Sequence, residues 1–370
     1  MTAVLARAAI LLAALTVACL LLAGCAGAGA PRARASTPST APAASPAATS
    51  SGGSVFGRVL GNPSATVTGG RLYVAWQVNQ ASARVPRFEL ARADQATGAI
   101  EAARRLGAGY PGTPLAAGGW LWVTISTDAG ERLLRMNPAD LAVTGNISIG
   151  GSSYQGVTGS GDDLAAAGGA LWATSGDRLL RVSPRTGTVT AVIPLPGANS
   201  SGVGAGGGVL IVSEADNGLG AVQRRDPVSG ALIASHPMLG VIAPRIGGII
   251  GSGVWVAEPT GMMGYVERFS TATMAPEGAT DVIGTNGIDL RVADGLAWVT
   301  EGVNPRHDYC ADPVTGRVLG RIPLPDPLRD AVSAIAGRYV YYLAPAPDGA
   351  GFYLRRLGVP ASCMAPARTG

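Results

Sequence analysis

The chain contains no lysine and little that would suit nucleic-acid binding or histidine-based catalysis. All 28 of its basic Lys and Arg positions are arginine, and the formal net charge is +4. The arginines form no basic run and no stripe interleaved with aromatic residues, which excludes the usual kind of nucleic-acid interface. The only two histidines, His236 and His307, stand in no histidine-rich group suited to general acid–base catalysis.

Common catalytic and metal-binding motifs are also missing. No Gly-x-Ser-x-Gly, Walker loop, zinc-ligand spacing or EF-hand loop occurs in the sequence. The apolar run at residues 8–22 is about 15 residues long, shorter than the roughly 20 residues of a comfortable membrane span. Because Arg7 precedes this run, the pattern predicts an export signal instead.

The signal ends in Leu22-Ala23-Gly24-Cys25, which resembles the lipobox of bacterial lipoproteins. That resemblance implies acylation of the Cys25 thiol, and two or three acyl chains give lasting membrane anchorage. An ordinary secretory signal cut after Ala28 or Ala30 is the alternative. The expected location is the extracytoplasmic side of the cell membrane. Residues 25–53, rich in Ala, Pro, Ser, Thr and Gly, predict a lipidated, disordered linker after a signal peptide at residues 1–24.

Four cysteines leave one pair for the folded part of the chain. Cys19 lies in the signal and Cys25 is the expected lipid site, so Cys310 and Cys363 remain. In an oxidising compartment these two predict a disulfide, and two buried free thiols are the alternative.

A short aromatic phrase recurs along the rest of the chain. Its third residues are Tyr73, Trp122, Trp172, Ile211, Trp255, Trp298 and Tyr341, spaced by roughly 40 to 50 residues. Such a period, built from short strands, is typical of a β-propeller blade. One aromatic at the same strand position in nearly every repeat predicts packing between neighbouring blades.

A second phrase follows each aromatic one and predicts a turn between two strands. Examples are Arg135-Met136-Asn137-Pro138 and Arg225-Asp226-Pro227-Val228-Ser229-Gly230. Asp, Asn or Ser caps the turn, Pro presets φ, and Gly takes the left-handed position. The arginines predict a local ion pair or turn contact. Together the two phrases resemble bacterial YVTN/NHL-type propellers, including the streptogramin lyase group, over about residues 55–358.

Seven aromatic phrases predict an all-β, seven-bladed propeller at residues 54–358, with a tail at 359–370. The last repeat has no clear fourth strand. Residues 57–61, Gly-Arg-Val-Leu-Gly, match residues 316–320 of an outer strand. We therefore expect the amino-terminal segment at 55–61 to supply the outer strand of the seventh blade and to close the ring. A disulfide from Cys310 would pin the tail near that seam.

The repeats differ most clearly three residues after the aromatic position, where blades four to six have glutamate. These residues are Glu214, Glu258 and Glu301. The inner strands begin on the same face, and their first residues include Asp162, Asp163, Asp289 and Arg245. The set predicts an acidic sector for a metal, an amine or a basic peptide. Hydrated loop residues without a ligand are the alternative.

Two functions follow from this acidic sector. The first is a binding or scaffold module that recognises a protein or another cationic ligand. The second is a lyase- or lactonase-type enzyme in which the carboxylates hold Ca²⁺ or Mg²⁺. Streptogramin lyases are expected to use histidines with a glutamate, and that set has no match here, so a non-enzymatic role is favoured. His307, Asp308 and Glu301 form the one local grouping of catalytic residue types.

Overall fold

The chain folds into short antiparallel strands. The computed structural model describes residues 64–78, 87–127, 129–150, 163–195, 200–216, 219–239, 244–260, 263–285, 288–293, 295–301, 307–323, 334–336, 339–345 and 352–364. All of them belong to one compact unit, Pro46–Gly370. At some strand ends only the backbone is described, and Glu258, Asp289 and Glu301 are among these positions.

The described strands form seven sheets in chain order. Blade 1 contains β1 (Ser64–Thr68), β2 (Arg71–Val78), β3 (Arg87–Asp94) and β4 (Ile100–Ala108). Blade 2 contains β5 (Tyr110–Pro111), β6 (Leu115–Ala117), β7 (Trp120–Thr127), β8 (Gly130–Met136) and β9 (Val143–Gly150). Blade 3 contains β10 (Leu164–Ala167), β11 (Ala170–Ser175), β12 (Arg178–Val182) and β13 (Val189–Pro194).

The remaining sheets continue the same order. Blade 4 contains β14 (Ser200–Gly206), β15 (Val209–Asp216), β16 (Leu219–Arg225) and β17 (Leu232–Leu239). Blade 5 contains β18 (Arg245–Ile250), β19 (Gly253–Thr260), β20 (Met263–Ser270) and β21 (Pro276–Thr285). Blade 6 contains β22 (Ile288–Ala293), β23 (Leu296–Glu301), β24 (His307–Ala311) and β25 (Val318–Pro323). The terminal sheet contains β26 (Ala334–Ala336), β27 (Tyr339–Pro345) and β28 (Phe352–Gly358), followed by a 3-10 turn at Ala361–Cys363.

The all-β propeller is confirmed, with six blades of the predicted four-strand order. In blade 2 the innermost strand is split into β5 and β6, which both pair with β7. The described part of the terminal sheet has three strands, so it departs from the predicted seventh four-stranded blade. Residues 55–61, expected to close the ring, lie outside the described residues, as do the signal, Cys25 and the linker.

Neighbouring sheets pack face to face through apolar side chains. Leu90 and Val123 share a cluster between blades 1 and 2, and Val222 and Val256 share one between blades 4 and 5. Tyr341 of the terminal sheet packs with Leu72 and Trp76 of blade 1. Each blade therefore buries both faces, which explains why the second strands are mostly apolar.

Small residues in the inner strands let neighbouring blades approach closely near the axis. A Cβ at Gly204 would lie 2.6 Å from Cγ2 of Ile246 in the next blade, and one at Gly247 would lie 2.2 Å from Cγ of Leu290. The glycine-rich inner strands thus receive side chains from the inner strand of the following blade.

The turns between third and fourth strands behave as the sequence predicts. In blade 4 the Asp226 Oδ1 accepts hydrogen bonds from the backbone nitrogens of Val228 (3.1 Å) and Ser229 (2.7 Å). The Asp94 carboxylate in blade 1 and the Asp312 carboxylate in blade 6 make the same kind of contact. These aspartates lie on what we call the turn edge, where third strands end and fourth strands begin.

The aromatic residues pack between blades, as predicted, and two of the tryptophans donate to the next blade's turn. Trp172 is fully buried, and its Nε1 donates to the carbonyl oxygen of Pro227 in blade 4 at 3.2 Å. Trp255 does the same to Pro313 in blade 6 at 3.1 Å.

Cys310 and Cys363 form the predicted disulfide, with their Cα atoms 5.7 Å apart.

Candidate functional site at the acidic edge of the blades

The predicted site residues lie at one edge of their blades, opposite the turn edge. We call it the acidic edge, where second strands end and inner strands begin. Glu301, at the end of β23, pairs with Ile288 at the start of β22. Glu214 pairs with Ser201 near the start of β14. Arg245 begins β18, next to Ala257 in the pairing register. The side chains of Glu258, Asp289 and Glu301 lie outside the described part of the structure.

The position three residues after the aromatic one is a packing position in the first three blades. Trp76 is 0% exposed, Ile125 is 4% exposed and Ser175 is 1% exposed. The Ser175 hydroxyl donates to the carbonyl oxygen of Gly150 in blade 2 at 2.9 Å. Glu214 occupies the same position in blade 4 and is half-buried. The acidic edge therefore begins in the crevice between adjacent blades and is more enclosed than an open loop.

A polar column holds the Glu214 carboxylate from within blade 4. The Gln223 Nε2 donates to Glu214 Oε1. The Gln223 Oε1 in turn accepts from Arg225 Nε at 2.9 Å and from Arg225 Nη2 at 2.7 Å. Arg225 Nη1 donates to the carbonyl oxygen of Gly230 at 3.0 Å. A side-chain amide thus links a carboxylate at the acidic edge to a buried guanidinium at the turn edge.

The column leaves Glu214 with one unsatisfied oxygen. Its Oε2 is buried and has no hydrogen-bond partner in the described part of the chain. Burial raises the pKa of the Glu214 carboxyl, and the Arg225 guanidinium offsets part of that rise. Burial also lowers the pKa of Arg225, and Glu214 counters that shift. The two groups stabilise each other's charge through Gln223.

Asp163 makes a contact between blades 2 and 3. Its Oδ2 accepts a hydrogen bond from the Thr124 hydroxyl of blade 2 at 3.2 Å. The same oxygen lies 2.7 Å from where a Cβ would stand on Gly112. Gly112 is therefore required for the close approach of this carboxylate, and Asp163 links two blades at the acidic edge.

Arg245 supplies a positive charge within the acidic edge. It is half-buried, and its Nε is buried without a hydrogen-bond partner among the described residues. An arginine that is already partly desolvated loses less hydration when it meets an anionic group than an exposed one would.

The two histidines lie in different settings. The His236 ring packs against Phe269 of blade 5, with ring centroids 5.2 Å apart, so it contributes to an interface between blades. His307 begins β24 and pairs with Glu301, but its side chain is not described. The neighbouring Asp308 is completely buried. Among described residues, no three His, Cys, Asp or Glu side chains are grouped closely enough to hold a metal ion.

The sequence does not predict the polar column, because the phrase Arg225-Asp226-Pro227 resembles the arginine phrases of the other blades. Strand pairing places Arg224, and not Arg225, opposite Ile211 at the repeat's arginine position. The spacing to proline contains this signal, since Arg135 and Arg181 stand three residues before their prolines, as Arg224 does. Arg225 and Gln223 are thus departures from the repeat.

Comparisons with known proteins show the fold and no family. No family model and no curated protein matches the chain. One similar solved structure, that of a Mitotic Checkpoint Complex, has 12% identity and a TM-score of 0.58, covering 89% of this chain and 99% of that one. The computationally designed Ika8 protein has 11% identity and a TM-score of 0.50, with coverages of 84% and 100%. BamB from Moraxella catarrhalis has 12% identity and a TM-score of 0.48, with coverages of 84% and 88%. In the described residues no helix is long and apolar enough to cross a membrane.

Proposed function

We propose that this chain is a binding or scaffold propeller whose acidic edge, on blades 3 to 6, recognises a cationic partner. The observation that carries the proposal is the half-buried Glu214 at a position that Trp76, Ile125 and Ser175 fill with buried packing. Burying part of a carboxylate there costs stability, and departures from a fold's own rules concentrate at functional sites. Glu258 and Glu301 repeat the departure in the next two blades.

The proposed partner is a protein or peptide that presents arginine or lysine side chains. Three carboxylates along one edge create a local negative potential on a chain of net charge +4, and this potential attracts basic groups. One solved structure of similar fold comes from a Mitotic Checkpoint Complex, which is a protein assembly. We assign Arg245 to orient the partner by repelling basic groups at blade 5, between the glutamates of blades 4 and 6.

The experiment is a binding titration with a fluorescent arginine-rich peptide. We expect the triple variant Glu214→Gln, Glu258→Gln, Glu301→Gln to weaken binding at least tenfold, about 1.4 kcal/mol. The matched control is Asp94→Asn, Asp226→Asn, Asp312→Asn, which removes the same number of charges from the turn edge. Asparagine keeps an acceptor oxygen for each turn. Equal weakening by both variants would mean that only net charge matters and would refute the proposed site.

We also propose that the terminal sheet is a seventh blade completed by residues 55–61. Its Tyr341 hydroxyl donates to the Gln95 carbonyl oxygen of blade 1, like the aromatic contacts between other neighbouring blades. Deletion of residues 55–61 should accelerate amide hydrogen exchange in β28, the strand that would lose its outer partner. Unchanged exchange in β28 would contradict closure by this segment.

Finally, we propose that Cys25 anchors the propeller to the extracytoplasmic side of the membrane through its acyl chains, as in bacterial lipoproteins of the YVTN/NHL propeller type. The linker at residues 25–53 would then hold the folded domain away from the bilayer. Cys25→Ser should move the protein from the membrane fraction to the soluble fraction. Retention of the variant in the membrane fraction would show that Cys25 is not the anchor.

A further inference from the structure

The middle of every described sheet contains a cross-strand pair between the second and third strands. The pairs share one layout, with the aromatic-phrase residue opposite an arginine in all sheets but one. They are Tyr73–Arg92, Trp122–Arg135, Trp172–Arg181, Ile211–Arg224, Trp255–Arg268, Trp298–Cys310 and Tyr341–Arg356. Blade 6 is the exception, because Cys310 replaces the arginine.

In six interfaces one member of this pair donates a hydrogen bond to a backbone carbonyl in the next sheet's turn. We call this contact the turn clamp. The donors and acceptors are Tyr73 to Pro138 (3.4 Å), Arg135 to Arg185 (3.1 Å), Trp172 to Pro227 (3.2 Å), Arg224 to Ala272 (3.0 Å), Trp255 to Pro313 (3.1 Å) and Tyr341 to Gln95. Where blade 4 has Ile211, which lacks a donor, Arg224 supplies the clamp. The interface needs one donor, and either residue can provide it.

The interface between blade 6 and the terminal sheet uses a covalent bond at the same place. Cys310 forms its disulfide with Cys363, which ends the 3-10 turn that follows β28. This turn follows the third strand of the terminal sheet, as the clamped turns follow the third strands of the blades. Both cysteines are buried, with Cys310 0% exposed and Cys363 2% exposed. They join an apolar cluster with Trp298, Val340 and Val359.

A glycine faces the clamp position from the outer strand in blades 2 and 6. In blade 2 Arg135 lies opposite Gly145, where a Cβ would stand 3.5 Å from the Arg135 Nε. Cys310 lies opposite Gly320, where a Cβ would stand 2.6 Å from the Cys363 sulfur. The glycine therefore leaves room for the disulfide in blade 6 as it leaves room for the clamp arginine in blade 2.

We propose that the Cys310–Cys363 disulfide is a covalent turn clamp that holds the terminal sheet on blade 6 and is interchangeable with the arginine clamp. The other clamped turns lie between two paired strands, whereas the turn at Ala361–Cys363 follows a paired strand on one side only within the described chain. A single hydrogen bond would act there on a segment free to fray, and a covalent bond does not depend on the local order of its acceptor.

The test compares two double variants by amide hydrogen exchange. Cys310→Ala with Cys363→Ala removes the clamp, and we expect exchange in β27 and β28 to accelerate at least tenfold relative to the wild type. Strands β11 and β12 of blade 3 are the internal reference and should change less than twofold. Cys310→Arg with Cys363→Ala restores an arginine at the clamp position. It should recover at least half of the lost protection on a logarithmic scale.

Two results would overturn the proposal. The first is equal acceleration in β11, β12, β27 and β28, which would show a general loss of stability with no localised clamp. The second is an arginine variant no better protected than the alanine variant. If the alanine variant does not fold, the folded wild-type protein is reduced with a phosphine and followed in the same strands. Unchanged exchange in β27 and β28 after complete reduction would likewise refute a clamp.

Discussion

The two edges of the blades shift the pKa values of their carboxyl groups in opposite directions. At the turn edge, hydrogen bonds from Thr97 lower the pKa of Asp94, and those from Ser229 and Thr315 lower the pKa values of Asp226 and Asp312. At the acidic edge, burial raises the pKa of Glu214. The turn aspartates are partly exposed and accept backbone N–H groups, whereas desolvation outweighs the other effects at Glu214, which keeps one buried oxygen unpaired.

This difference distinguishes carboxylates that stabilise the fold in their charged form from a carboxylate whose burial costs stability. A carboxylate that accepts two or three hydrogen bonds favours its charged form and stabilises the turn. A half-buried carboxylate in a packing position favours its neutral form and opposes folding while it is ionised. The turn edge repeats its chemistry from blade to blade, and the acidic edge is where individual blades depart from it.

The largest expected effect comes from breaking the packing at the turn edge. Trp172→Ala removes a fully buried side chain that contacts Gly230 and donates to Pro227. We expect the free energy of unfolding to fall by about 3–5 kcal/mol. Trp172→Phe, which keeps much of the volume and loses the donor, should cost less. Guanidinium chloride unfolding measures both, and an equal loss in the two variants would mean that volume contributes little at this interface.

The sequence revealed the turn edge well because its residues recur with a fixed spacing. Tyr73, Trp122 and Trp172 identified the second strands, and the Asp-Pro phrases identified the turns. A repeat pattern contains only the features that the blades share. It could not show that the Thr124 hydroxyl donates a hydrogen bond to Asp163 across an interface. The repeat pattern also gave no sign of Gln223, because this amide links the Glu214 carboxylate to the Arg225 guanidinium in one blade and does not recur at a fixed spacing. The terminal sheet was harder because the segment expected to complete it, residues 55–61, lies far away in the chain and outside the described residues.

The second prediction breaks the polar column at the acidic edge. Arg225→Met leaves Gln223 Oε1 without its donors and removes the charge that partly offsets the burial of Glu214. We expect a loss of about 1–3 kcal/mol in the free energy of unfolding. Adding Gln223→Leu and Glu214→Leu to Arg225→Met replaces the whole column by apolar groups and should recover most of that loss. Chemical denaturation of the single and triple variants at pH 7 makes the comparison. A triple variant less stable than the single one would show that the column itself stabilises blade 4.

The third prediction concerns acid stability and the turn edge. Because the folded pKa values of Asp94, Asp226 and Asp312 lie below their ordinary value of 3.8, their contribution is present above that pH and is lost as the pH falls below it. The variant Asp94→Asn, Asp226→Asn, Asp312→Asn should therefore flatten the acid limb of the stability profile. Urea unfolding between about pH 2 and 6 tests this. An acid limb as steep as that of the wild type would assign acid sensitivity to other carboxylates.

The smallest expected effect has the opposite sign and belongs to Glu214. Its folded pKa is raised above the ordinary value of 4.5, so the folded state binds the proton more tightly than the unfolded chain does. Stability must then decline as the pH rises from that value through the folded pKa. Glu214→Gln keeps a side chain that can hydrogen-bond Gln223 and cannot ionise, so this decline should disappear while the acid limb of the turn aspartates remains. The same urea series, extended to pH 8, measures both limbs in one protein. If the variant instead loses stability at neutral pH and keeps the decline, the attraction between Glu214 and Arg225 outweighs the cost of burying the carboxylate. The carboxylates at both edges would then stabilise the fold in their charged form.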